Sequence, residues 1–272
     1  MPRISVIIPH FNRPALLLEA VKSVLGQSFG DFECIVADDG SGTSLPQMPD
    51  DRRFRQIAKP HTGLPGEVRN RGVEASSGEY LAFLDSDDLF TPEKLALQEA
   101  YMEASGLRIS HTRELWLRNG RTVSQAGQRH RREGDIFTDA LKKCIIGPST
   151  VMMERALFDE LGGFDETLEI AEDYEFWLRL TSLHEVGYID RPLTVKRAGG
   201  WEQLSEKYGQ IEIFRIRGLK KLVDGEYFPP ERAAAARVEL ALKCRIYAAG
   251  CRKRGKDWEA REYETYASRY CT

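Results

Sequence analysis

Two apolar runs in this chain end in clustered carboxylates. After FECIVA comes Asp38-Asp39-Gly40-Ser41, and after YLAFL comes Asp85-Ser86-Asp87-Asp88. In an open parallel sheet, ligands bind beyond the carboxyl ends of the strands, so acids at those ends are the first candidates for chemistry. In an extended chain Asp85 and Asp87 point to one side and Ser86 to the other. Carboxylates so close repel, and one takes up a proton unless they share a cation. Mg²⁺ and Mn²⁺ are hard ions that take one or two carboxylates plus substrate phosphates, which makes a metal-diphosphate the implied ligand. The plainer alternative is that Asp87 or Asp88 caps a turn or the next helix. Asp39 adds a second clue. A carboxylate only accepts hydrogen bonds, and the ring N–H of uracil, thymine or guanine is a matching donor that adenine and cytosine lack. Phe11, just past the first apolar run, could stack on a base or serve as core.

A nucleotide is admissible although its usual glycine-rich cradles are missing. The chain has neither G-x-x-x-x-G-K-[ST] nor G-x-G-x-x-G after its first apolar run, so phosphate charge has to be met by a metal and by side chains.

Elements that can hold these residues follow from periodicity. ISVII (4–8), an amphipathic segment (14–27) and FECIVAD (32–38) have the β-α-β rhythm of a parallel sheet covered by helices. FRQIA (54–58), a helical segment (64–78) and YLAFL (80–84) continue it. Thr91-Pro92-Glu93 opens another helix, with Thr91 as N-cap and Pro92 in the first helical position. After Gly106 a hairpin turns at Asn119-Gly120. The irregular GQRHRREGD, a helix in IFTDALKK, a strand in STVMME and a helix in RALFDELGG follow, then AEDYEFWLRLTSL, whose Phe176, Leu180 and Leu183 share a helical face. From about Glu206 the pattern is helical, broken at Pro229-Pro230 and resumed in an alanine-rich helix from Glu231.

The totals describe an ordinary globular chain. At 272 residues, 42% hydrophobic and 30% charged, it can bury a sizeable core as one large domain or as a domain with an appendage. A net charge of -3 gives no general reason to expect nucleic acid. Cys34, Cys144, Cys244, Cys251 and Cys271 form an odd set without a C-x-x-C pair, which fits a reducing, cytoplasmic setting rather than a disulfide or zinc scaffold. The early strand-like run leaves no room for a signal peptide, and no apolar run approaches the roughly 20 residues that span a bilayer. The basic run Arg252-Lys253-Arg254-Gly255-Lys256 is expected mainly as a solvated face, with contact to anionic lipid at the inner face of the membrane as the alternative.

Four pieces taken in order resemble the family 2 glycosyltransferases: ISVIIPHFN (4–12), VADDGS (36–41), GEVRNRGVEASSGEYLAFLDSDD (66–88) and GGFDETLEIAEDYEFWLRL (162–180). The resemblance implies an α/β GT-A fold, a Rossmann-like and mostly parallel central sheet flanked by helices. Residues 1–105 would form its nucleotide-sugar half, 106–205 its acceptor and catalytic-base half, and 206–272 a C-terminal helical extension. It implies a nucleotide-sugar donor, UDP first among the nucleotides, a glycan or lipid-linked hydroxyl acceptor, and inversion at the anomeric carbon. Asp39 would bind the base, with Pro9, Phe11 and Asn12 lining the nucleoside pocket and Asp38 beside it.

Asp85 and Asp87 match the family's D-x-D around Ser86, with Asp87 the more direct ligand of Mn²⁺ or Mg²⁺ and Asp85 serving ribose or metal. Arg69 and Asn70 match an Arg-Asn pair beside the nucleotide; Asn70 has anchoring of a helix as an equal alternative. Glu172-Asp173 falls where the family carries its general base, Asp173 first and Glu172 second, although an acidic pair opening a helix is otherwise dipole compensation. Lys196 to Ser205 is similar to the family's basic loop near the diphosphate, with Arg197 in place of a common His and with glycines and Trp201 suited to a lid. A nucleotide-sugar binder without turnover would not need the base, and a nucleotidyltransferase would want a glycine-rich basic loop where PHFNRPA stands. Transfer to a polyprenyl phosphate is a further variant.

Overall fold

The computed structural model describes residues 1–44, 46–125, 130, 132–201 and 210–270. Strands β1 (Ile4–His10), β2 (Phe32–Asp38), β3 (Phe54–Ala58) and β4 (Tyr80–Phe83) run parallel in the order β3-β2-β1-β4. Ile4 pairs with both Phe32 and Tyr80, and His10 stands opposite Asp38. This register brings the acids at the ends of β2 and β4 to one edge of the sheet, on either side of the end of β1. The apolar runs become central strands because both faces are covered, and β1 is buried at every position but Pro9.

Helix α1 (Pro14–Leu25) opens on a proline, as its fixed φ favours, and buries Leu17, Ala20, Val21 and Val24 at helical spacing. Helix α2 (Pro65–Glu74) lies so close to the sheet that a Cβ on Gly72 would stand 2.3 Å from Ile7 Cγ2. Only glycine lets the helix carrying Arg69 and Asn70 approach that far.

The α3 helix (Lys94–Ser105) begins later than expected, and Thr91 is not its side-chain cap. Residues 89–90 form a short strand β5 (Leu89–Phe90), and Thr91 continues it by bonding the Leu193 carbonyl through its N–H at 3.0 Å and its hydroxyl at 3.3 Å. Sheet pairing therefore takes the hydroxyl that would have capped, and Gln27 Oε1 accepts the Leu95 N–H instead at 3.0 Å.

Beyond α3 the chain adds β6 (Ile109–Arg118), β7 (Arg121–Thr122), β8 (Met152–Glu154) and β9 (Gly187–Ala198) to the same sheet, in the order β4-β8-β6-β9-β5 with β7 on β6. Asn119 and Gly120 turn the hairpin with φ of 49° and 73°, the left-handed pair of a tight hairpin turn. The strand expected in STVMME is shortened, since Pro148–Thr150 makes a 3-10 turn.

Helices α4 (Phe137–Lys142), α5 (Arg155–Glu160) and α6 (Glu172–Leu183) cover this part. On α6, Phe176 and Leu180 are buried, but Leu183 is 53% exposed because the helix stops there and the chain turns extended at His184. Helices α7 (Ile211–Asp224), α8 (Pro230–Lys253) and α9 (Asp257–Arg269) share one hydrophobic cluster with α4 and α6, in which Phe214, Ile216 and Leu219 meet Tyr174 and Leu178. This extension braces the helix whose first residues are Glu172 and Asp173. In the basic run, Arg252 pairs with Glu264 at 2.7 Å and Asp257 at 3.5 Å. No described helix is long and apolar enough to cross a membrane, and the described cysteines are all free; Cys271 lies outside the described residues.

Candidate active site

Residues 85–88, beyond β4, form a turn rather than an extended run, closed by the Asp88 N–H on the Asp85 carbonyl at 2.9 Å. Each carboxylate is therefore aimed separately. Asp85 takes Arg69 Nη2 at 2.7 Å. Asp87 takes Arg13 Nη1 at 2.9 Å and Trp201 Nε1 at 3.0 Å, both on Oδ2. Asp88 takes the Ser149 hydroxyl at 2.8 Å and the Arg197 N–H at 3.0 Å. Ser86 is buried between them.

Electrostatics separate the three acids. Burial would push Asp85 up, but Arg69 and then Lys196 outweigh it and hold its carboxyl below the ordinary value. Burial, reinforced by the charge of Asp85, raises Asp87. Burial pushes Asp88 up to about 8 against the pull of Lys196. Asp88 is thus a supporting residue of the turn, joining it to the 3-10 turn through Ser149 and to β9 through Arg197. Arg197 also donates Nε–H to the Asp87 carbonyl at 2.6 Å and pairs with Glu19 on α1.

The acids at the end of β2 are held differently. Asp38 accepts the Ser41 hydroxyl at 2.5 Å, and Ser41 Oγ in turn accepts the Asn12 N–H at 2.8 Å. Asn12, with φ of 51°, turns its side-chain oxygen to the Gly42 N–H at 3.0 Å and so organises the loop. Pro9 remains in the ladder opposite Ala37. Asp39 is 3% exposed and accepts the N–H groups of Thr62 and Gly63, each at 2.9 Å, while His61 Nδ1 stands 2.7 Å from its Oδ2. Phe11 is stacked on the His61 ring.

Arg69, 6% exposed, ties the far side of the site together. One of its ends holds Asp85 and the other holds Glu172 at the start of α6. Glu172 is buried, and burial, opposed by Arg69 and reinforced by Asp173, brings it up to about 7. Asp173 is partly exposed, and the Cys144 thiol lies 3.5 Å from its Oδ2. Burial keeps that thiol protonated by pushing it well up, so it stands as a donor to the carboxylate. Asn70 spends its amide on anchoring: its Nδ2 donates to the Phe164 carbonyl and Glu166, both at 2.9 Å, and its Oδ1 accepts the Phe164 N–H at 3.0 Å.

Lys196 and Arg197 lie near the end of β9 beside these acids, and Gly199 and Gly200, with φ of 91° and 82°, turn the chain so that Trp201 reaches Asp87. Residues 202–205 of the expected lid lie outside the described residues. Several contacting residues were not singled out from the sequence: Arg13, His61, Thr62, Arg71 and Ser149. Arg71, two positions after Arg69, stands 3.6 Å from Asp39 and carried a signal in the basic R-N-R spacing. Ser149 and Arg13 carried none, since 61 and 74 residues separate them from the acids they meet.

Acids gathered at the carboxyl edge of an open α/β sheet, with cations interleaved, stand where ligands bind in such sheets. The comparisons place the chain within a family. Residues 5–162 match the profile of Glycosyl transferase family 2, and the chain belongs to that family. It is 34% identical over 202 residues to the uncharacterized glycosyltransferase RC0461 of Rickettsia conorii, covering 73% of this chain and 33% of that one, so it spans about a third of that relative's length. It is 27% identical over 190 residues to the Escherichia coli UDP-Glc:alpha-D-GlcNAc-diphosphoundecaprenol beta-1,3-glucosyltransferase WfgD, covering 69% of this chain and 73% of that one. Among solved structures, S. aureus TarS 1-349 in complex with UDP-GlcNAc superposes with a TM-score of 0.70 at 21% identity, over 91% of this chain and 73% of that one. The mannosyltransferase PcManGT of Pyrobaculum calidifontis, in complex with GDP-Man and Mn²⁺, gives 0.62 at 16% identity over 100% and 76%. The fold is that of these GT-A-like proteins.

Proposed function

We propose that this chain transfers a sugar from a nucleoside diphosphate sugar, UDP first among the candidates, to a hydroxyl of a glycan or lipid-linked acceptor in cell-surface polysaccharide synthesis, with inversion. The observation that carries the reading is Arg69, which joins Asp85 of the strand-end turn to Glu172 at the start of α6. It ties the acids suited to a donor to the pair suited to a base. WfgD, named for a UDP-glucose donor and a diphosphoundecaprenol-linked acceptor, supports the substrate classes.

Asp87 and Asp85 are the residues that would hold Mn²⁺ or Mg²⁺. Their fit rests on hard oxygen donors and on the raised carboxyl of Asp87, whose burial a cation would compensate. Among the described residues no group of three or more His, Cys, Asp and Glu is placed to hold an ion, and phosphate and water oxygens would complete its coordination. When bound, the ion neutralises charge developing on the departing diphosphate. Lys196 and Arg197 add positive charge at the same edge.

Asp173 serves as general base. The acceptor oxygen attacks the anomeric carbon, its proton passes to the Asp173 carboxylate, and the electrons of the breaking C–O bond leave on the diphosphate. Glu172, buried and paired with Arg69, positions that arginine. Asp173→Asn is expected to lower kcat by about 10²- to 10⁴-fold while the calorimetric Kd for UDP stays within about twofold. Loss of UDP binding instead would move Asp173 into the donor site.

A further inference from the structure

The carboxylate of Asp39 is fully engaged. Thr62 donates its N–H and its hydroxyl to Oδ1 at 2.9 and 3.2 Å, Gly63 donates its N–H to Oδ2 at 2.9 Å, and His61 Nδ1 stands 2.7 Å from Oδ2. A carboxylate offers about four lone-pair sites, and these donors fill them. Nδ1 also lies 3.0 Å from the Asp39 carbonyl, a second acceptor, so this nitrogen carries the proton. The same imidazole lies flat on Phe11, with ring centroids 4.0 Å apart and planes 12° from parallel. A nucleobase at this site would need the same two things, a face of Phe11 and an acceptor on Asp39.

We infer that His61 is a built-in occupant of the base pocket, which the donor's nucleobase displaces on binding. The inference rests on the donor-site reading of Phe11 and Asp39 given above. Only the side chain has to move. The backbone of 59–63 is pinned by the Lys59 N–H on the Asp38 carbonyl at 3.2 Å and by the Thr62 and Gly63 N–H groups on Asp39. Gly40, with φ of 71°, lies so close beneath that a Cβ there would stand 2.7 Å from the His61 backbone nitrogen. The His61 side chain itself is 49% exposed. Rotation about its own bonds frees a face of Phe11 and an acceptor on Oδ2 together.

A ring with an N–H, such as uracil or guanine, restores both contacts. A base without one restores only the stack and leaves Oδ2 a donor short. Exposed side chains reorient in picoseconds to nanoseconds, so the occupant sets affinity rather than rate. A site partly filled by its own side chain binds more weakly by the fraction of time it is open.

The test is calorimetric titration of UDP and GDP, with Mn²⁺ present, into the wild type, His61→Ala and Asp39→Asn. His61→Ala is expected to bind the nucleotide preferred by the wild type about tenfold more tightly, about 1.4 kcal/mol, and Asp39→Asn to bind it more weakly. Unchanged or weaker binding by His61→Ala, with Asp39→Asn impaired, overturns the occupant and leaves the donor site standing. If neither nucleotide binds the wild type, or Asp39→Asn binds as well as it does, the donor-site reading falls and the inference with it. The ring protons of His61 supply an independent measure by NMR. They are expected to shift when UDP is added, and an unmoved His61 ring overturns the proposal whatever the affinities.

Discussion

Asp38 at the end of β2 and Asp39 just beyond it are held mainly by hydroxyls, backbone N–H groups and an imidazole, with Arg71 farther off at 3.6 Å from Asp39. Asp85, Asp87 and Asp88 after β4 sit instead among Arg13, Arg69, Lys196 and Arg197. Both are acids following an apolar strand, on either side of β1, yet their chemistry differs. Backbone donors fix a carboxylate in place and leave its charge local, which suits reading the edge of a neutral base. Long cationic side chains offset several clustered carboxylates and can be exchanged for another cation, which suits a metal and a diphosphate.

The largest effect should come from Asp87→Asn. Transfer is expected to fall about a thousandfold or more, the scale on which essential electrostatic groups act, and Mn²⁺ should no longer strengthen nucleotide binding. The melting temperature should hold or rise, because one of the clustered charges is removed. A clear drop in melting temperature with transfer retained would make Asp87 a structural residue, and the difference between the two clusters would vanish.

Asp39→Asn should act more mildly and on the other term. Nucleotide affinity is expected to fall about tenfold, the value of a buried hydrogen bond to a charged group, while binding keeps its response to Mn²⁺. If that response disappeared as well, the two clusters would be one functional unit.

The smallest effect concerns a buried amine with no carboxylate beside it among the described residues. Lys94 on α3 is fully buried against Gln98, the Val151 carbonyl and the Phe90 ring, and burial alone brings its ammonium down to about 7. Its folded value lies below the ordinary 10.5, so between about 7 and 10.5 the folded state holds fewer protons than the unfolded one. Stability from this group therefore rises with pH across that window and is lost as pH falls toward 7. Lys94→Met, of similar volume, should melt a few degrees above the wild type near pH 7, the scale of about 1 kcal/mol in a chain of this size. The gap should narrow toward pH 10, and a pH-independent gap would mean that Lys94 keeps its charge when folded.

Much of this arrangement was legible in the sequence for a physical reason: apolar runs of strand length separated by amphipathic segments admit few arrangements besides a covered parallel sheet, and such a sheet collects its acids at one edge. Asn119-Gly120 announced its hairpin because few residues accept that backbone. The partners of the acids were not legible. Asp88 and the Arg197 backbone N–H are 109 residues apart and meet only because β9 returns to pair with β5. Local rules also lost to that return, since Thr91 bonds Leu193 instead of capping α3, and the run 85–88 turns where an extended chain was expected. The role expected of Asp173 came from family resemblance and that of Asp39 from its acceptor chemistry and the same resemblance, and the geometry adds what each side chain touches.

The proposed donor site is one in which Asp39 reads a base and Asp85 and Asp87 meet a metal-diphosphate. Its most direct test is calorimetric titration of the wild type with UDP, GDP, dTDP, ADP and CDP, each with and without Mn²⁺. UDP, GDP or dTDP should bind best, and more tightly with the ion. Preference for ADP or CDP, or indifference of all five to Mn²⁺, would contradict it.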